Sequence, residues 1–142
     1  MNYTIYDSST GQIIATTSTN DPAQLPPSDS YIEGSYSGKL YYINNGVPTL
    51  ILTKPSAFLQ SYTFNWTTKT WDVDVDTTAS QVRSYRDLLL NQTVDKLNPV
   101  WWASLTADQQ AEATAYRQAL LNVPTQTGFP TDVVWPTKPT WM

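Results

Sequence analysis

The 142-residue sequence predicts an α+β fold, with antiparallel β-hairpins over residues 1–76 and a helical hairpin over residues 77–142 closed by an extended proline-rich strap. Three observations predict it. The apolar pattern changes from a period of two to a helical period near residue 77. Turn signals, Asn45-Gly46 above all, punctuate the first part, whereas capping patterns open apolar stripes in the second. Charge shifts at the same place. The first part carries three basic and seven acidic residues, the second carries five of each, and all three arginines (Arg83, Arg86, Arg117) fall in the second.

Tyr3 to Tyr6 is aromatic and β-branched and predicts the first strand. Asp7 to Gly11 is a turn, with Gly11 able to take a positive φ, and Gln12 to Thr17 returns as the second strand. Residues 18–30 hold Pro22, Pro26 and Pro27 and read as a loop. A second meander is expected from Tyr31-Ile32, a turn at Ser37-Gly38, and Leu40 to Ile43. Asn45-Gly46 predicts a type I′ turn, with Val47 to Thr53 as its return strand. Pro48 puts that strand at an edge, since proline cannot donate to the ladder. A third hairpin pairs Tyr62 to Trp66 with Trp71 to Val75 across Thr67-Thr68-Lys69-Thr70.

Thr78-Ala79-Ser80-Gln81 has capping-box spacing, and Val82, Tyr85 and Leu89 behind it form an amphipathic stripe. Thr93 to Ser104 is less regular, with Pro99 ahead of Val100-Trp101-Trp102. Thr106-Ala107-Asp108-Gln109 is a second capping box. It opens a helix to about Asn122 with Ala113, Tyr116 and Leu120 on one face. Val123-Pro124 ends that helix, because the residue before a proline is pushed away from α. Residues 124–142 hold four of the ten prolines together with Phe129, Trp135 and Trp141, which reads as an extended strap with aromatic anchors.

Composition narrows the function. The chain has no His and no Cys, which removes cysteine nucleophiles, Ser-His triads, the common zinc sites and disulfides. Only three arginines and a net charge of −4 argue against nucleic-acid binding, which needs a basic face. No apolar run approaches the roughly 20 residues that span a bilayer, and no basic-then-apolar leader opens the chain. The expectation is a soluble protein made in a cytoplasm, with no cofactor, no metal, no membrane and no catalysis. Fifty residues are Thr, Ser, Asn or Gln, and six Trp and nine Tyr supply large rings.

Asp72-Val73-Asp74-Val75-Asp76 invites a calcium reading, but an EF-hand loop needs Gly at its sixth position and Glu at its twelfth, and Thr77 and Arg83 stand there. Strand alternation puts the three Asp on one solvated face as the plainer alternative to a metal site. Asn65-Trp66-Thr67 and Asn91-Gln92-Thr93 match the glycosylation sequon, read as chance without a leader. Of Trp101 and Trp102, about 100° apart on a helix, at most one can sit squarely in a core. Trp66 and Trp71 flank a short turn and can pair across it.

The segments Val82-Arg83-Ser84-Tyr85-Arg86-Asp87-Leu88-Leu89-Leu90, Ala115-Tyr116-Arg117-Gln118-Ala119-Leu120, Val123-Pro124, Gly128-Phe129-Pro130 and Val133-Val134-Trp135-Pro136 carry a resemblance. In this order they resemble the C-terminal domain of tail fibre assembly proteins of tailed bacteriophages, also called phage tail assembly chaperones. The resemblance spans roughly residues 80–139. It departs from the family pattern between the helices, where many relatives carry Thr-Asp-Trp and this chain has Thr93-Val94-Asp95 with a displaced Trp101-Trp102.

The resemblance implies a non-enzymatic virion-assembly protein. Its partner would be a trimeric tail fibre protein whose folding or trimerisation it promotes in the host cytoplasm, with retention in the virion tail as a viral structural component left open. The alternative is a structural subunit or an adhesin that binds a host-surface glycan. The matching residues are Tyr85, Arg86, Asp87, Leu89, Tyr116, Arg117, Gln118, Leu120, Pro124, Phe129, Pro130, Trp135 and Pro136. Tyr85, Leu89, Tyr116, Leu120 and Trp135 have the spacing of a helix-hairpin core, and Arg86 and Asp87 read as polar pins between helix and strap. Tyr42, Trp66, Trp71, Trp101 and Trp102 are the candidate partner or glycan contacts.

Overall fold

Strand β1 (Asn2–Tyr6) is central in a three-stranded antiparallel sheet, flanked by β2 (Ile13–Ser18) and β3 (Tyr31–Glu33). The computed structural model describes residues 1–142. Its contacts divide the chain into two units, one of residues 1–55 and 62–72, the other of residues 56–61 and 73–142.

In the first unit the β1–β2 turn is built on Asp7, whose carboxylate accepts from the N–H groups of Ser9 (2.8 Å) and Thr10 (3.1 Å). These bonds hold the Asp7 carboxyl below its ordinary range, the Ser9 hydroxyl contributing most. Gly11 follows at φ +72°, and a Cβ there would lie 2.1 Å from the carbonyl oxygen of Ile43. Only glycine fits, because the Gly11 carbonyl also accepts from Ile43 N–H at 2.8 Å.

The predicted pairing of Tyr31-Ile32 with Leu40 to Ile43 does not form; β3 pairs with β1 instead. The reason is Thr4. It is fully buried, donates its hydroxyl to Gly34 O (2.9 Å) and accepts from Tyr36 N–H (3.0 Å). Gly34, at φ +110°, also donates to Asn2 O, so the chain is fastened to β1 where it was expected to run on.

Strands β4 (Tyr41–Asn44) and β5 (Val47–Leu50) form the hairpin predicted from Asn45-Gly46, whose φ values are 50° and 78° as a type I′ turn requires. The return strand stops at Leu50 rather than Thr53. Ile51 N–H bonds Leu40 O, so by strict alternation Pro48, opposite Ile43, sits where its nitrogen faces away from the partner strand. Strands β6 (Tyr62–Asn65) and β7 (Thr70–Val73) make the third hairpin, with the Asn65 amide oxygen accepting from Thr67 and Thr68 N–H.

The second unit begins its helices earlier than predicted. Helix α1 spans Val75–Gln92, capped by Asp74, which accepts from Thr77 N–H (3.0 Å) and the Thr77 hydroxyl (2.7 Å). The expected capping box at Thr78 is not formed. Thr78 lies inside the first turn, fully buried, and accepts from Ser61 N–H at 3.1 Å. The three Asp therefore do not share a strand face: Asp72 is in β7 and bonded by Asn65, Asp74 caps, and Asp76 lies in the first turn, where the helix dipole favours a negative charge.

A 3₁₀ turn at Val94–Lys96 leads to α2 (Pro99–Ser104), capped by Asn98 with Pro99 in its first turn. Helix α3 (Ala107–Leu121) opens on the predicted Thr106–Gln109 capping box, both bonds present. After a 3₁₀ turn at Val123–Thr125, residues 126–142 hold no helix or strand. The core here is Leu90, Val94, Ala113, Tyr116 and Leu120, with Leu89, Leu97, Trp102, Trp135 and Trp141 packed on it.

Candidate partner-binding surface

Most of the motif residues are used inside the second unit. Tyr85 and Leu89 are half-buried on α1, and Tyr116 and Leu120 are buried on α3. The Tyr85 ring takes Trp135 edge-on at 5.0 Å and Phe58 at 5.2 Å. Burial raises the pKa of the Tyr116 hydroxyl and outweighs its hydrogen bond with Thr93, which lowers it. Arg117 pairs with Asp95 at 2.8 Å, tying α3 to the 3₁₀ turn, and Gln118 donates to the Asn122 side chain just past the helix. Pro124 is the second residue of the next turn, Val123–Thr125.

The C-terminal segment is fastened at several points. The Gln126 amide donates to Val134 O and accepts from Val134 N–H, both at 2.8 Å. Gly128 O accepts from Asp132 N–H at 2.7 Å, and a Cβ on Gly128 would lie 2.1 Å from Asp132 O, so this turn requires glycine for room. Arg83 lies over the Phe129 ring at 5.0 Å, and Gln60 donates to Thr131 O at 2.8 Å. Pro130 and Pro136 are half-buried, and Trp141 Nε1 donates to Glu112 at 2.6 Å. Arg86 and Asp87 do not pin this segment; they pair with each other at 2.6 Å. Arg83 makes the contact to it that was expected of Arg86.

The surface that remains is apolar side chains among amides and hydroxyls. Val100 and Trp101 (41% exposed) project from α2, while Trp102 turns inward on the core and its carbonyl accepts from Gln110. Val134 and Leu88 are exposed. An open cleft of about 640 Å³ runs beside α1, lined by Leu59, Gln60, Ser84, Tyr85 and Leu88 among others, with exposed Phe58 against Tyr85. Residues 56–61 give this cleft a wall. Nothing in Ser56-Ala57-Phe58-Leu59-Gln60-Ser61 signals that, because its fastenings come from elsewhere in the chain: the Thr78 hydroxyl and Asp74 N–H at Ser61, Thr131 O at Gln60 and the Tyr85 ring at Phe58.

The rings of the first unit are engaged with their own unit. Lys69 lies 5.1 Å from the Tyr42 ring and 5.8 Å from the Trp66 ring, and donates to the carbonyls of Thr10 and Trp66. Trp66 and Trp71 do not stack on each other; each packs edge-on against Phe64, at 4.8 and 5.2 Å. Trp71 Nε1 donates to Leu52 O at 2.7 Å, and Lys54 lies 5.7 Å from its ring. No group of three or more His, Cys, Asp or Glu is placed to hold a metal ion, and no helix is long and apolar enough to cross a membrane.

The fold and this surface define an α+β protein whose helical unit leaves Leu88, Val100, Trp101 and Val134 exposed. Residues 79–140, most of that unit, match the family described as phage tail assembly chaperone protein. No curated protein and no solved structure matches the chain. The family carries a role in phage tail assembly.

Proposed function

We propose that this chain is a phage tail fibre assembly chaperone that binds the fibre protein in the host cytoplasm and promotes its folding and trimerisation without catalysing a reaction. The observation that carries this is the family match over residues 79–140. The geometry supports it: the motif side chains are mostly consumed in packing, while Val100, Trp101, Val134 and Leu88 stay exposed. Exposed rings and aliphatics of this kind suit contact with apolar fibre segments until trimerisation buries them.

The glycan-adhesin reading has less support. Sugar stacking needs a free ring face, and Tyr42, Trp66 and Trp71 are all close to lysines of their own unit. The test is co-purification with the fibre protein of the same phage. The wild-type chain should be retained, and Trp101→Ser with Val134→Ser should weaken retention several-fold at unchanged helical content. Failure of the wild-type chain to be retained overturns the proposal.

A further inference from the structure

In the first unit a groove of about 530 Å³ lies between the end of the β4–β5 hairpin and the Trp71 side chain. Leu40, Leu50 and Leu52 line it and are 58%, 63% and 63% exposed. Three leucines left this open in one groove call for a cover. Lys39 and Lys54 line it too, and no carboxylate does. The unit has one other lysine, Lys69, which is spent on two backbone carbonyls. In a chain of net charge −4, the two lysines of the unit whose ammonium groups make no hydrogen bond or ion pair thus stand at its leucine groove.

We infer that this groove binds a short acidic-apolar peptide segment of a partner protein, its aliphatic side chains on Leu40, Leu50 and Leu52 and its carboxylates paired with Lys39 and Lys54. The assembly-chaperone reading supplies only the origin of that segment, a tail protein; the chemistry of the groove is independent of it. The indole of Trp71 is held by Leu52 O and lies beside Lys54, so it serves as a wall of the groove.

Isothermal titration of the full chain with a synthetic peptide of alternating leucine and glutamate tests this, beside the same peptide with lysine for glutamate. The glutamate peptide should bind roughly tenfold more tightly, as two exposed ion pairs allow, and more weakly as salt rises. Lys39→Glu with Lys54→Glu, both at exposed positions, should abolish the preference. Equal binding of the two peptides, or a preference unchanged in the variant, overturns the inference. So does equal binding of polygalacturonate, which would mean that charge alone is read. Self-association lost in the same variant would put a second copy in the groove and also overturn it. If the glutamate peptide binds as described but the fibre protein does not co-purify, the groove stands and the chaperone reading falls. If the fibre protein co-purifies and the peptide does not bind, the reverse holds.

Discussion

Two buried threonines carry contacts that hydropathy cannot reveal. Thr4 and Thr78 are each completely buried, and each hydroxyl satisfies backbone groups from a distant stretch of its own unit. Valine has nearly the same shape but leaves those groups unpaired in the interior, which costs about 1–3 kcal/mol per group. Thr4→Val and Thr78→Val should therefore each lower stability by about that amount in denaturant titration, and Thr78→Val should loosen the chain at Ser61, whose N–H loses its acceptor. Threonine is common in this chain, with 21 copies, so no local pattern marks these two. Gly128 was legible within the family motif, but its reason, the carbonyl of Asp132 where a Cβ would be, appears only in three dimensions. Gly128→Ala should distort the turn at residues 128–132 and detach Phe129 from Arg83.

At the scale of elements, signals contained within a few residues were readable. The Asn45-Gly46 turn, the Thr106–Gln109 capping box and the buried face of α3 stand where the sequence puts them. Where two local signals competed, the sequence did not decide. Asp74 and Thr78 could each cap α1, and the carboxylate, a cap at least as good as a hydroxyl, takes the position. The hydroxyl and N–H of Thr77 hold the Asp74 carboxyl below its ordinary 3.8. Because the folded pKa is lowered, its stabilisation is present above the unfolded pKa and is lost as pH falls through the folded one. Asp74→Asn keeps an acceptor but cannot titrate, so the stability of the variant should lose that acid-side dependence when the two are compared by circular dichroism. Trp135, half-buried against Tyr85 and the core, should cost about 2–3 kcal/mol as Trp135→Ala, somewhat less than a fully buried ring. The α1–α3 packing should loosen with it, as amide exchange would show.

The whole molecule joins a unit of short hairpins to a helical unit that matches a known family over residues 79–140, and the two differ in how far sequence explains them. The helical unit carries its motifs in order over residues 79–140, so its class was legible from Tyr85, Tyr116, Phe129 and Trp135. The pairing in the first unit depends on β3 reaching β1 through Thr4 and Gly34, a contact about thirty residues apart in sequence that local rules do not encode. The surface was the least legible. Trp101 and Trp102 are adjacent, yet only the fold shows which of them remains outside. The central claim, that a tail fibre protein depends on this chain to reach its trimer, is tested most directly by expressing that fibre with and without it and measuring soluble trimer by sedimentation. The account predicts aggregated or unfolded fibre alone and soluble trimer on co-expression; equal yields of trimer in both would contradict it.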